Sequence, residues 1–215
     1  MYKNKDLSKY LKTLIIDGNF IANAKIVYRP YICPFNVILD IIKDKSISFF
    51  DIGCGFGQFL SLVVKYLCPD KVMGIEISNE LLKIANQTLQ LTKFQNYNLE
   101  VYNGSQLPVT LKDYNYISMI DILHHIPKKE QEAYLKNLCQ HLKKGDKLLF
   151  KDINAKTPFV IFNKIHDLIL SRQITHELPA AKVVDIFENM ELEIRYFKKI
   201  TTIVYPHYII LAEKM

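Results

Sequence analysis

No stretch of this 215-residue chain approaches the roughly 20 apolar residues that a membrane span requires. The opening Met1-Tyr2-Lys3-Asn4-Lys5-Asp6 lacks the apolar core of a signal peptide. A cytoplasmic location is therefore expected, with any membrane contact peripheral. Cysteine is sparse: Cys33, Cys54, Cys68 and Cys139 are scattered, with no Cys-x-x-Cys and no histidine at ligand spacing. That spacing predicts small buried thiols rather than disulfides, and no metal site. Long basic runs with interleaved aromatics are missing too, so nucleic acid is not an expected partner. The net charge of +6 suits solubility, or an acidic partner surface such as an anionic membrane or an acidic carrier protein. Repeats, low-complexity tracts and Gly/Ser linkers are absent, which leaves one domain over residues 1–215.

What the sequence does have is concentrated at residues 48–60, Ser-Phe-Phe-Asp-Ile-Gly-Cys-Gly-Phe-Gly-Gln-Phe-Leu. A mostly apolar run, 47–52, carries one acid, Asp51, near its end. Glycine then stands at every second position, Gly53, Gly55 and Gly57, and Phe56, Leu60, Val63, Val64 and Leu67 follow at spacings for one helical face. Strand, glycine turn and helix make a nucleotide cradle, because glycine reaches positive φ, lets backbone amides approach a ligand, and leaves a helix N-terminus facing it. A carboxylate beside that turn repels a pyrophosphate and favours a cationic ligand. A nicotinamide-dependent dehydrogenase, with Gly-x-Gly-x-x-Gly and no acid inside the strand, is disfavoured accordingly.

Apolar runs alternate with amphipathic ones along the rest of the chain. Strands are expected at 47–52, 72–77, 98–103, 115–121 and 146–152, and helices at 57–68, 79–92, 128–143 and 179–189. Two further helices are expected at 6–16 and 34–43, with Arg29-Pro30-Tyr31 between them as a turn. Alternation of this kind gives a parallel sheet with helices on both faces. The last two strands, 191–199 and 203–212, have no helix between them and should turn back on each other near Ile200-Thr201, reversing one strand. At the end of the second strand Glu76 is positioned to accept ribose hydroxyls, with Ile77 along an adenine edge.

Four ordered segments carry a resemblance. They are Phe50-Asp51-Ile52-Gly53-Cys54-Gly55-Phe56-Gly57, Gly74-Ile75-Glu76, Asp121-Ile122-Leu123-His124-His125-Ile126-Pro127, and Leu142-Lys143-Lys144-Gly145-Asp146-Lys147-Leu148-Leu149. In order and spacing over roughly 46–153 the chain resembles the class I S-adenosylmethionine-dependent methyltransferases. The resemblance implies an α/β, Rossmann-like, doubly wound and mostly parallel seven-stranded sheet of order 3-2-1-4-5-7-6. It implies S-adenosylmethionine as cofactor and S-adenosylhomocysteine as product. The backbone of Gly53, Cys54, Gly55 and Gly57 would contact the methionine part, Asp51 would lie near its ammonium, Glu76 would hold the ribose and Ile77 the adenine. In the loop Tyr102-Asn103-Gly104-Ser105-Gln106-Leu107-Pro108, many relatives carry an aspartate where this chain has Ser105, so adenine recognition is left to Asn103, Gly104, Ser105 or Gln106. Asp121 would face the cofactor or the substrate.

Methyl transfer asks mainly for alignment of the nucleophile, the methyl group and the sulfur. A general base is needed only where the nucleophile loses a proton, and His124, His125, Asp152 and His166 are the candidates. An insert at 154–178 holds an apolar segment from Phe159 to Leu170, read as a core helix or as a lid over a hydrophobic substrate. A helical cap over 1–45, a cofactor-binding core over 46–153 and a closing helix and hairpin over 179–215 complete the organisation. Arg29-Pro30-Tyr31-Ile32-Cys33-Pro34, Ser118 to His125 and His166-Asp167-Leu168 look like methyltransferases beside bacterial aryl-polyene and polyketide pigment enzymes. That similarity implies a small hydrophobic, aromatic or acyl substrate, free or held on an acidic acyl carrier protein. The other readings are a methyltransferase-like scaffold serving a partner protein and an RNA methyltransferase.

Overall fold

The computed structural model describes residues 1–16, 18–153, 176–202 and 205–215. The apolar runs become strands where expected: β1 (Ser48–Ile52), β2 (Lys71–Glu76), β3 (Tyr97–Val101), β4 (Tyr116–Ile120) and β5 (Lys147–Ile153). Two longer strands follow, β6 (Leu192–Thr202) and β7 (Tyr205–Lys214). Their order is β3-β2-β1-β4-β5-β7-β6. β1 pairs with β2, β2 with β3 and β4 with β5 in parallel, whereas β7 runs antiparallel to both β5 and β6. The seven-stranded order and the reversed strand are those expected from the sequence.

The chain separates into two compact units, Met1–Pro108 and Val109–Met215. In the first, helices α1 (Asn4–Leu11), α2 (Phe20–Ile32), α3 (Phe35–Ile41), α4 (Gln58–Leu67) and α5 (Asn79–Leu91) accompany β1 to β3. Ser78 caps α5, its hydroxyl accepting from the Leu81 amide at 3.3 Å. The core of this unit is built from Phe49, Phe50 and Ile52 of β1, Val72, Met73 and Ile75 of β2, and Phe59, Leu60, Leu62 and Val63 of α4, all buried. In the second unit, α6 (Lys128–His141) and α7 (Ala180–Asn189) accompany β4 to β7. Phe150 of β5 packs edge-on against Phe187 of α7, with ring centroids 5.6 Å apart.

Four expectations need correcting. Arg29-Pro30-Tyr31 is no turn, because α2 runs through Pro30 to Ile32. Proline forfeits one intrahelical hydrogen bond there, but Pro30 is buried and the Cys33 amide still closes the last turn on the Arg29 carbonyl at 2.8 Å. The first helix ends at Leu11 and tightens into a 3₁₀ turn at Lys12–Leu14 instead of continuing to residue 16. The inward stripe of α4 is Phe59, Leu60, Leu62 and Val63, whereas Phe56 precedes the helix and Val64 and Leu67 are only half-buried. Finally, β6 continues past Ile200 and Thr201, which pair with His207 and Pro206, so the hairpin reverses beyond Thr202.

Candidate functional site

In the first unit the chain leaves β1 and crosses directly to β2. The Gly53 and Cys54 amides both donate to the Ile75 carbonyl, at 2.8 and 3.0 Å. The turn then needs three left-handed residues, with φ of 73° at Gly53, 54° at Gly55 and 73° at Gly57, a region that costs other residues roughly 1–2 kcal/mol. The surroundings separate these glycines. A Cβ on Gly57 would come within 3.1 Å of Ala85 in α5, while one on Gly55 would meet nothing within 4 Å. Gly57 is thus demanded by packing as well as by φ, and Gly55 opens onto free space.

Two buried carboxylates border this turn. Asp51 is 3% exposed and stands in register with Gly74 of β2. Glu76, 7% exposed, accepts three backbone amides. Its Oε2 takes Gly55 N–H at 3.0 Å, and its Oε1 takes Ile77 N–H at 2.8 Å and Ser78 N–H at 3.1 Å. A carboxylate offers about four lone-pair sites, so Glu76 keeps acceptor capacity after fixing the turn. Cys54 points inward, and burial, with the charges of Asp51 and Glu76 adding to it, pushes its thiol well above the usual range. The thiol's place depends on Gly74, where a Cβ would sit 2.8 Å from Cys54 Sγ and from Leu60 Cδ1.

Beyond β2, Ile77 is 60% exposed, an apolar side chain left on the rim. Gly104 (φ 85°) lies close by, its absent Cβ 3.6 Å from Ile77 Cγ2. Asn103 organises the loop after β3: its Oδ1 accepts from Ser105 N–H at 3.0 Å, the Ser105 hydroxyl at 3.1 Å and Gln106 N–H at 2.8 Å. The Ser105 hydroxyl is therefore tied to Asn103 within the loop.

These features fit a nucleoside that carries positive charge. Two buried acids, spare acceptor capacity on Glu76, open space over Gly55 and an exposed Ile77 beside a glycine give a carboxylate-bordered cradle with an apolar shelf.

The second unit holds a cluster of charged residues at the end of β4. Register pairs Ile120 with Lys151, and the Asp121 amide then donates to the Lys151 carbonyl at 2.9 Å. Asp121 adopts φ 57°, which aspartate tolerates better than most side chains. Its Oδ1 pairs with the fully buried Lys151 ammonium. A short 3₁₀ turn, Leu123–His125, follows. Here Asp152, 1% exposed, takes the His124 amide on Oδ2 at 3.1 Å and the His124 Nδ1 on Oδ1. His124 is buried and His125 exposed, with their rings 4.2 Å apart. Gln131 Nε2 braces the turn through the carbonyls of Leu123, Ile126 and His176, at 3.0, 3.1 and 2.6 Å. Tyr208, which faces Asp152 across the β5–β7 pairing, donates to the Leu178 carbonyl at 3.2 Å. Burial first, and the Asp152 charge second, push its hydroxyl well above the usual range, so it stays neutral.

Donor atoms of Asp121, His124 and Asp152 lie within 4.8 Å of one another. Asp121 already holds an ammonium and His124 already engages Asp152. The candidate base Asp152 turns out to be the partner of another candidate, His124. His166, and with it residues 154–175 of the insert, lies outside the described residues. The parts missed in the sequence are the pairing of Asp152 with His124, the Lys151 ammonium and the Gln131 brace. Only the polar pair Lys151-Asp152 after the apolar Leu148-Leu149-Phe150 hinted at them.

Residues 28–196 match the family model described as a methyltransferase domain. No curated protein matches the chain. Solved structures do. A magnesium protoporphyrin IX methyltransferase from Synechocystis with bound SAH is 16% identical, with TM-score 0.72, covering 98% of this chain and 94% of that one. A SAM-dependent methyltransferase from Methanosarcina mazei is 20% identical, with TM-score 0.64 and coverage of 83% and 97%. A chain from the complex of the Haloferax volcanii Trm112 methyltransferase activator with a methyltransferase is 10% identical, with TM-score 0.71 and coverage of 98% and 96%. At these identities the likeness is one of fold. With the family model spanning most of its length, the chain belongs to the methyltransferase domain family, on the fold of the class I S-adenosylmethionine-dependent methyltransferases.

Proposed function

We propose that this protein transfers a methyl group from S-adenosylmethionine to a small hydrophobic, aromatic or acyl substrate, free or bound to an acidic carrier protein. The observation that carries the reading is the Glu76 carboxylate, buried yet held by three amides at the edge of a glycine turn with open space over Gly55. S-Adenosylmethionine, when bound, supplies an activated methyl group on a sulfonium. The chain's own residues then bind and orient. Glu76 accepts the ribose hydroxyls, Asp51 attracts the ammonium, the backbone of Gly53, Cys54, Gly55 and Gly57 lies along the methionine part, and Ile77 with Asn103, Gly104 and Ser105 flanks the adenine. Asp121, His124, His125 and His166 are assigned to the acceptor side, and the insert at 154–178 to substrate selection. Such a division suits a reaction whose rate comes mostly from alignment.

Calorimetry with S-adenosylmethionine and S-adenosylhomocysteine tests this directly. Binding of both is expected, and Asp51→Ala should weaken it at least roughly tenfold, about 1.4 kcal/mol. Absence of binding to either at millimolar concentration overturns the reading.

A further inference from the structure

We infer that the first unit docks on an anionic membrane surface through helix α2, an interaction that goes beyond methyl transfer and does not depend on it. The starting point is a helix with two apolar faces. Ala22, Ile26, Val27 and Pro30 are its buried side. Of its five exposed positions, four are Phe20, Ile21, Tyr28 and Tyr31, and the fifth is Lys25. At about 3.6 residues per turn these five share one arc, away from the buried side chains. A surface helix ordinarily turns charged and polar residues outward. Here Phe20 is 86% exposed and Ile21 70%, so both project from the surface. The projection is a built one. The Asn23 side chain accepts the Ile16 amide at 2.9 Å and donates to the Ile16 carbonyl at 2.7 Å. Asn19 caps the helix by accepting the Ala22 amide at 3.3 Å. Exposed Ile15 is thereby held at the same end of α2 as Phe20 and Ile21.

Charge decides which partner fits this face. Lys5, Lys9 and Lys12 are exposed at helical spacing, one stripe along α1 and the 3₁₀ turn after it. Helix α1 packs against α2, so the stripe flanks the apolar arc. None of these three lysines, nor Lys25, forms an ion pair among the described residues. Residues 1–32 hold six lysines and arginines against two acids, Asp6 and Asp17, and so carry most of the chain's net charge of +6. An apolar tip flanked by cations matches the boundary of an anionic bilayer. The tip enters the acyl edge, the tyrosines sit at headgroup depth, and the lysines reach the phosphates with their stems along the apolar side. With 13 residues, α2 is far below the roughly 20 needed to span, and it lies in the plane of the interface. A protein partner would have to offer a shaped pocket for the tip and a rim of acids around it. A fluid anionic surface closes around the tip without being shaped.

The test is co-sedimentation of the full chain with vesicles of phosphatidylcholine, alone or with roughly one-third phosphatidylglycerol. Binding to the anionic vesicles and not to the neutral ones is expected. It should weaken as salt rises from about 0.1 M to about 1 M, which shortens the screening length from about 10 Å to about 3 Å. Lys5→Gln/Lys9→Gln/Lys12→Gln should lose roughly fivefold in partitioning per lysine. Phe20→Ser/Ile21→Ser should lose at least roughly tenfold. Both sets of positions are exposed, so urea unfolding should match the wild type. The chain has no tryptophan, so Phe20→Trp places a single reporter at the tip, and its emission should shift to the blue on anionic vesicles. No binding of the wild type to anionic vesicles, equal binding by both multiple variants, or an unshifted Phe20→Trp emission on bound vesicles would each overturn the inference. A dimer in free solution that Phe20→Ser/Ile21→Ser dissociates would give the face to a second copy and overturn it too. So would capture of an acyl carrier protein through the same residues without vesicle binding. Calorimetry with S-adenosylmethionine tests the methyl-transfer reading separately, so either can fail and leave the other standing.

Discussion

The carboxylate of Glu76 accepts the amide of Gly55 at 3.0 Å, joining the tip of β2 to a turn 21 residues earlier in the chain. The glycine turn and the ribose-accepting acid are therefore one object, since the acid that is to meet the ligand also fixes the backbone that approaches it. Charge-assisted bonds of this kind are about twice as strong as neutral ones. Glu76→Gln keeps the shape, loses the charge and presents an amide donor to the turn. Its stability should fall by about 1–2 kcal/mol in urea unfolding. Its affinity for S-adenosylmethionine should fall at least roughly tenfold by calorimetry. A folded Gln variant with wild-type affinity would remove Glu76 from the binding machinery.

Gly55 and Gly74 predict opposite phenotypes. A Cβ on Gly74 would lie 2.8 Å from Cys54 Sγ and Leu60 Cδ1, in a core that cannot give way without strain. Gly74→Ala should cost about 1–3 kcal/mol of stability, with S-adenosylmethionine affinity in the folded protein nearly preserved. A Cβ on Gly55 would meet nothing, although φ there is +54°. Gly55→Ala should cost about 1–2 kcal/mol in backbone strain and, in addition, lose affinity because the methyl enters the space assigned to the ligand. Thermal melts with and without S-adenosylmethionine separate the two: the ligand should raise Tm for Gly74→Ala and barely move it for Gly55→Ala.

Much of this was legible in the sequence. The runs that became β1, β2, β4 and β5 are mostly apolar and alternate with amphipathic ones, so a largely parallel sheet with helices followed from alternation, while the strand order rested on the resemblance. The turn at Gly53, Gly55 and Gly57 announced itself because positive φ at three alternate positions leaves little room for other residues. Helix α2 was hidden, since Pro30 reads as a breaker and only the burial of that side chain offsets the missing amide bond. The partnership of Asp152 and His124 was hidden for another reason. The two lie 28 residues apart, and only the parallel register of β4 and β5, with Ile120 beside Lys151, brings the turn after one strand to the end of the next. Even then Lys151 and Asp152, adjacent on a strand, must point to opposite faces, and both reach the same turn.

Thiol reactivity gives a test of the core that needs no ligand. Cys33, Cys54 and Cys139 are buried and Cys68 is exposed, and none of the four forms a disulfide, where small buried thiols had been expected throughout. Burial raises Cys139 to about 12. A raised thiol pKa means less thiolate at any working pH, and the thiolate is the reactive form. A disulfide-exchange reagent at pH 8 should therefore count one fast thiol in the native protein and four in urea. Raising the pH from 7 to 9 should leave Cys139 silent, because both values lie below about 12. Two or more fast thiols in the native protein would contradict the burial of Cys54 or Cys139.

The ion pair of Lys151 and Asp121 makes the last prediction. Lys151 is fully buried and its ammonium meets Asp121 Oδ1, while the Asp121 amide donates back to the Lys151 carbonyl at 2.9 Å. Removing one member of a buried pair leaves the other uncompensated, which typically costs about 3–5 kcal/mol, whereas replacing both with matched neutral groups is often close to neutral. Asp121→Asn should therefore be strongly destabilised, since it leaves the fully buried Lys151 ammonium without its counter-charge, although asparagine tolerates the φ of 57° at that position. Lys151→Met should be milder, since the carboxylate it leaves behind is partly exposed. In the double variant Asp121→Asn/Lys151→Met, no charge is left to bury alone, so stability should recover to within about 1–2 kcal/mol of the wild type. Urea unfolding of the four proteins yields the coupling directly. Additive losses in the double variant would mean that the two side chains act independently and that the pair does not hold the turn after β4.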